Sequence, residues 1–529
     1  MRLKGSSSVL RLAIRATLGF VLVLSSIITA VARPNATAPD PEIQGILDQV
    51  NSTALSNYVG SLSGEWPVEI GGSLYTLATR YSRTTEPIQK AAQYAYEHFQ
   101  SLGLAVQYFE YTLNWSGLRQ EVIAEQPGLT DPGCIYMIVA HLDDYSEDPE
   151  YQAPGADDNA SGSSGVLLAA DLLKHHFFAC TLRYALFTGE EQGLIGSIAY
   201  ADYVRSQNED IRGVLNLDMI GYNSKGKPEP VLDLHTRSAP SINAGDLAIA
   251  YTFIDVVDAY HLNLAPDLLQ DDMRSSDHVV FWDRGYPAIL AIEDEDDFTP
   301  NYHKTSDTLS TLNLAYFTDI VKAALGTIAH LAGLLPQGHL SGLVSDLTSG
   351  NPIPDAAIEA KLDPSLIWSS NTDSDGSYDL TLPAGIYQVT ASAPWYTTFT
   401  VDQTPVAAGQ TTLLNISLAG CTPSQVDFTF SPPEPWALEP VTFTSALTTL
   451  AKKPPAANPA AAVYRWDFGD GTPPLSGEGL SVVSHSFPMA PFLHIYTVNL
   501  AVEDGCTPAA GVTYPVIVQT RQAYLPIIR

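Results

Sequence analysis

Four short runs of this chain are almost continuously apolar: Ile135 to Ala140, Leu182 to Phe187, Gly213 to Leu217 and Pro287 to Ile292. Runs of that length without polar alternation suit strands covered on both faces, which occur in parallel sheets flanked by helices. Between the first two, Gly165 to Phe178 has a helical pattern. Upstream, Pro87 to Leu102 carries apolar residues at Ile88, Ala91, Ala92, Ala95, Phe99 and Leu102 before Gly103, as an amphipathic helix does. Strand-helix-strand units predict an α/β domain over residues 33–337, with a mostly parallel mixed sheet flanked by helices. In such sheets ligands bind at the carboxyl ends of the strands.

Those ends are where the chemistry-bearing residues cluster. The first run leads into His141, Leu142 and Asp143, the second into Glu190 and Glu191, the third into Asp218, and the segment after the fourth into His303. A further acidic turn, Gly155 to Gly162 with Asp157, Asp158, Asn159 and Ser161, precedes the helix between the first two strands. Each feature alone is weak, because an isolated His-x-Asp or a pair of glutamates is usually a turn or a solvated face. Their joint placement at strand ends is informative.

Two imidazoles and three carboxylates make a mixed N/O donor set that suits zinc, with cobalt or manganese next. Two ions a few ångströms apart need a carboxylate shared between them, and Asp157 is the candidate bridge. Neighbouring side chains on an extended segment diverge, so Glu190 and Glu191 are expected to divide the work, one binding metal and the other taking a proton from water. Asp143, two residues beyond His141, is placed to accept the second imidazole N–H and fix the ring.

The ordered set of motifs resembles the co-catalytic zinc aminopeptidases: His141 to Asp143, Gly155 to Gly162, Glu190 with Glu191, Asn216 to Met219, Ser276 to His278, and Tyr302 to Thr308. That family includes secreted bacterial leucyl aminopeptidases and, more distantly, glutamate carboxypeptidase and glutaminyl cyclases. The resemblance spans most of residues 41–335. It implies two zinc ions, one on His141, Asp157 and Asp218 and the other on Asp157, Glu191 and His303, with Glu190 as general base and Asp143 orienting His141. It also implies a cis peptide after the bridging aspartate, expected at Asp157–Asp158. The segment Tyr222 to Asp277 and the acidic loop Glu293 to Asp297 with Phe298 are expected to wall the pocket. Ser276, Asp277 and His278 are contiguous, unlike a hydrolase triad, and are read as shaping the site; His175 and His176 are read as structural.

After Gly338 the pattern changes to short strands separated by Gly, Pro and Asp turns. Residues 338–420 resemble the transthyretin-like domain that accompanies some carboxypeptidases, with about seven strands expected and an Asp-Gly turn at Asp373 to Gly376. Residues 421–522, with Tyr464 to Thr472 and Tyr496 to Asp504, resemble a polycystic-kidney-disease-type β-sandwich in which Trp466 and Phe468 are core and Lys452 to Ala461 is a loop. Residues 523–529 form a tail.

At the other end, Arg2, Lys4, Arg11 and Arg15 precede an apolar stretch from Leu18 to Ile28 and then Ala30, Val31 and Ala32, the layout of a cleaved secretory signal over residues 1–32. The four cysteines fit an oxidising destination as the pairs Cys134 with Cys180 and Cys421 with Cys506. A net charge of -32 excludes a nucleic-acid partner, which needs clustered cations, and no later stretch is long enough to span a bilayer. The expectation is a secreted two-zinc exopeptidase acting on peptides with a free N-terminus, the sandwich modules being available to bind a surface or substrate. Three alternatives stay open: a carboxypeptidase, a glutaminyl cyclase, and a non-catalytic binding protein. Cations are sparse over 222–302, chiefly Lys225, Lys227, Arg237, Arg274 and Arg284, which disfavours the first.

Overall fold

The computed structural model describes residues 38–114, 116–224, 230–421, 425–448, 462–490, 492–503 and 509–520. The signal segment, Lys225, Lys227, Cys506, the loop Lys452 to Ala461 and the tail lie outside these residues.

In the first part, α1 (Pro41–Leu47) and α2 (Ser52–Leu62) lead to a small antiparallel hairpin, β1 (Val68–Ile70) with β2 (Ser73–Tyr75). Then come α3 (Glu86–Ser101), β3 (Ala105–Leu113), β4 (Gly117–Gln126), β5 (Asp131–His141), α4 (Gly162–Leu173), β6 (Cys180–Phe187), α5 (Ile195–Ser206) and β7 (Asp210–Leu217). The domain is completed by β8 (Val231–Thr236), α6 (Ala244–Ala259), β9 (Ala265–Gln270), α7 (His278–Asp283), β10 (Ala288–Glu293) and α8 (Leu314–Leu331). Local chemistry sets several helix starts. Asp40 accepts from the Glu42 amide with Pro41 in the first turn, Asn51 accepts from Ala54, and Asn313 accepts from Tyr316.

The strands form one sheet in the order β3-β4-β6-β5-β7-β10-β8-β9. The four apolar runs occupy β6, β5, β7 and β10, four adjacent strands that are mutually parallel. Both flanks depart from that direction: β4 is antiparallel to β6, and β8 is antiparallel to β10. Alternate residues of β5 show why its run is unbroken. Ile138 and Ala140 enter the core beneath α3, α4 and α8, while Met137 and Val139 enter the core under α5 and α7. The disulfide Cys134–Cys180 joins the starts of β5 and β6.

After α8 the next strand starts at Gln337. That strand, Gln337–Asp346, pairs antiparallel with Ser377–Pro383 and parallel with Thr411–Leu413 and Ile416–Leu418, opposite a second four-stranded sheet. Eight strands appear rather than about seven. The last is broken at Leu414 and Asn415, whose amide and side chain turn to bond Ser341 and Leu343. The Asp373 to Gly376 turn joins two strands, with the Gly376 amide donating to the Asp373 carbonyl. Among the described residues the final module packs three strands against four, and Trp466 and Phe468 are buried in its centre with Phe443 and Phe487. Cys421 is disulfide-bonded. Among the described residues no helix is long and apolar enough to cross a membrane.

Candidate metal centre

At the carboxyl ends of β5, β6 and β7 the chain brings together residues that are far apart in sequence. His141 closes β5, and its Nε2 lies 3.1 Å from Asp218 Oδ1 and 3.3 Å from Asp158 Oδ1. The other oxygen of Asp158 lies 3.4 Å from His303 Nε2, and Glu191 Oε2 lies 3.0 Å from the same nitrogen. One carboxylate therefore sits between two imidazoles, with Asp218 on the first ring and Glu191 on the second.

That carboxylate belongs to Asp158, which corrects the expectation for Asp157. The turn kinks at Asp158 (φ -104, ψ 90) and Asn159 (φ -134, ψ 46), and the Asp158–Asn159 peptide is cis, one bond beyond the position expected. Asp158 thereby faces the histidines, while the neighbouring Asp157 side chain points into the scaffold. There Asp157 Oδ1 accepts from the Gly221 amide at 2.7 Å, and its carboxyl group meets that of Glu293. Burial and the adjacent charge of Asp157 hold Glu293 well above the usual carboxylate range. The turn is fixed from below by Asp307, which accepts from the amides of Asp157 and Asp158.

Asp143 also differs in detail. His141 Nδ1 lies 3.1 Å from the main-chain oxygen of Asp143, whereas the Asp143 carboxylate is 3.8 Å away. The carboxylate instead accepts from the Glu190 amide at 3.3 Å. Asp143 thus fixes the ring through its backbone and the position of Glu190 through its side chain. Glu190 and Glu191 diverge as expected: only Glu191 touches His303, and Glu191 Oε1 is buried without a hydrogen-bond partner. Ser276 shapes the site by donating to Asp218 Oδ2 at 2.6 Å while accepting from Asn216. Tyr302 stacks on His303 with ring centroids 3.7 Å apart, and Phe298 packs against Tyr302. Of the loop before it, Glu293 and Asp294 are buried and Asp297 accepts from the Ser224 amide, while Glu295 and Asp296 face solvent.

The electrostatics favour a cation. Burial alone would lower the pKa of His141, yet Asp218, Glu190 and Asp158 outweigh it and hold the ring well above its ordinary range. His303 likewise rises to about 10, because Asp158 and Glu191 override burial. Burial raises Glu190 far above a normal glutamate, offset in part by His141 and reinforced by Asp277, Asp218 and Glu191. Two imidazoles and three carboxylates converging with a buried unpartnered oxygen fit a divalent metal such as zinc, which His141, Asp158, Asp218, Glu191 and His303 could hold.

Sequence reasoning missed Asp158, although it stands beside Asp157 in the same motif, and assigned no role to Asp307. The only available signal for Asp307 was its place four residues after His303.

Residues 121–328 match the model of peptidase family M28, and residues 339–419 match that of the carboxypeptidase regulatory-like domain. The chain is 28% identical over 309 residues to a leucine aminopeptidase 1 of Paracoccidioides brasiliensis, covering 56% of this chain and 78% of the relative. It is 25% identical over 323 residues to a probable zinc metalloprotease of Pyrenophora teres, covering 54% of this chain and 65%, less than two thirds, of that protein. Among solved structures, a Legionella pneumophila aminopeptidase aligns with a TM-score of 0.46 at 21% identity, over 55% of this chain and 75% of the other.

Proposed function

We propose that the chain, whose residues 121–328 match the model of peptidase family M28, is a zinc-dependent aminopeptidase holding two ions, and that it works outside the cell after loss of residues 1–32. The observation that carries the two-ion reading is the single Asp158 carboxylate lying between His141 and His303, each ring having a further carboxylate of its own. Asp158 would be shared between the two ions, with His141 and Asp218 holding one and Glu191 and His303 the other.

Zinc, when bound, supplies Lewis acidity to the scissile carbonyl and makes water acidic enough to attack near neutral pH. The chain's own residues do the rest. Glu190 takes the proton of the attacking water and delivers it to the leaving amine. Asp143 keeps Glu190 in place through its amide and prevents rotation of the His141 ring. Ser276 holds the carboxylate of Asp218.

Polarity of the substrate follows from charge. A carboxypeptidase needs a free cation for the terminal carboxylate. Among the described residues of 222–302, Arg237 is paired with Asp246, Arg274 with Asp283, and Arg284 with Asp202. The site itself is rich in carboxylates, which suits the ammonium of a free N-terminus. The disulfide Cys134–Cys180 supports an oxidising destination. Comparing release from free and N-acetylated aminoacyl anilides, before and after chelation, tests the reading. Equal hydrolysis of both, or full activity in the chelated protein, would refute it.

A further inference from the structure

A second group of donors lies on the same sheet, outside the centre described above. In β8, Leu232 and Leu234 face the main core, so the alternating residues Asp233 and His235 face the other side, opposite Ile292 and Leu290 of β10. Both are buried, at 4% and 0% exposure. One carboxylate oxygen of Asp233, one ring nitrogen of His235 and one carboxylate oxygen of the exposed Glu295 all lie within 4.8 Å of one another.

The hydrogen bonds around these groups leave an unmet need. His235 Nδ1 lies 3.0 Å and 3.1 Å from the two oxygens of Asp271, so it donates its proton there. The remaining nitrogen, Nε2, then carries a lone pair, and it is buried with no hydrogen-bond partner. Asp233 Oδ2 accepts from the Glu295 amide at 2.9 Å, which pins the loop after β10 against β8. Two carboxylates and an imidazole with an unsatisfied buried nitrogen, gathered in one small space, leave a place for a cation. A ring protonated at both nitrogens would instead bury a donor with no acceptor.

We propose that Asp233, His235 and Glu295 form a further divalent-cation site, suited to zinc by its imidazole and carboxylate donors, with Asp271 as the group that orients the ring. An imidazole tied by one nitrogen to a carboxylate and free at the other is the usual arrangement of a metal-binding histidine. The site shares no residue with the centre at Asp158, and β10 lies between its strand and β7, which leads to Asp218. Its ion would tie the loop after β10 to β8, just ahead of Phe298, which packs on the Tyr302 ring that stacks on His303.

The test is a metal count on the full chain. Protein stripped with chelator and dialysed is titrated with zinc chloride alone against a chromophoric competitor, and bound zinc is measured by plasma mass spectrometry. Glu295→Gln and His235→Ala should each bind one ion fewer per chain than the parent, and Asp271→Asn should bind that ion roughly 10–100-fold more weakly. Asp158→Asn should retain it. Glu295 is exposed, so that variant leaves the core intact even if His235→Ala fails to fold. Parent and Glu295→Gln binding the same number of ions with the same affinity would overturn the site, and would leave the reading of the catalytic centre untouched.

Discussion

Adjacent aspartates with different surroundings allow the bridging assignment to be tested by paired substitutions. Asp158 contacts both rings, at 3.3 Å and 3.4 Å, whereas Asp157 bonds only the Gly221 amide and the Glu293 carboxyl. The two contacts mark Asp158 as the one carboxylate facing both rings, so neutralising it in Asp158→Asn should weaken zinc binding by at least the roughly 10–100-fold that loss of a supporting group costs. Asp157→Asn keeps an oxygen for Gly221 and removes no contact to either ring, so its zinc affinity should stay within about tenfold of the parent. The assay is competition for zinc against a chelator of known affinity, with thermal melting of the metal-free proteins to confirm that both fold. If Asp157→Asn loses zinc while Asp158→Asn holds it, the geometric argument fails.

Further outcomes follow from other contacts. Glu190→Gln should retain zinc while turnover falls by about 10²–10⁴-fold; near-normal turnover would remove Glu190 as the base. Ser276→Ala deletes the 2.6 Å bond to Asp218 and should weaken zinc binding by roughly 10–100-fold, measured by the same competition. Cys134 and Cys180 are 46 residues apart, so replacing both with Ala should destabilise the chain by up to about 4 kcal/mol in urea unfolding. Burial, with repulsion from Arg274 in addition, lowers the pKa of His278 from 6.5 to about 3, so its neutral form is favoured in the fold. Its contribution is fully present above pH 6.5 and is lost as pH falls from there toward 3. In excess chelator, His278→Gln should lose less stability than the parent between pH 7.5 and pH 5, the difference being read by urea unfolding.

The parts legible in the sequence were those dictated by burial on two faces. Strands β5, β6, β7 and β10 carry apolar residues toward both cores, so their existence, direction and functional ends could all be inferred. Edge strand β3 has a mixed exposure pattern and gave no such signal. Assigning Asp157 in place of Asp158 has a conformational origin: both residues are acidic, and only the kink at Asp158 and Asn159 decides which one turns inward. Asp143 was expected to act through its carboxylate because sequence names side chains and hides carbonyls, yet its carbonyl meets the ring. The group around His235 was invisible because Glu295 joins it through the antiparallel pairing of β8 with β10, a register no local motif announces.

His303 follows every other ligand along the chain and sits beyond the last strand of the sheet. A polypeptide still emerging from a ribosome can present the earlier members of the cluster and yet lacks the imidazole that faces Asp158 and Glu191. The cluster around Asp158 is thereby complete only once the chain has been made through His303 and that segment has folded back over the strand ends.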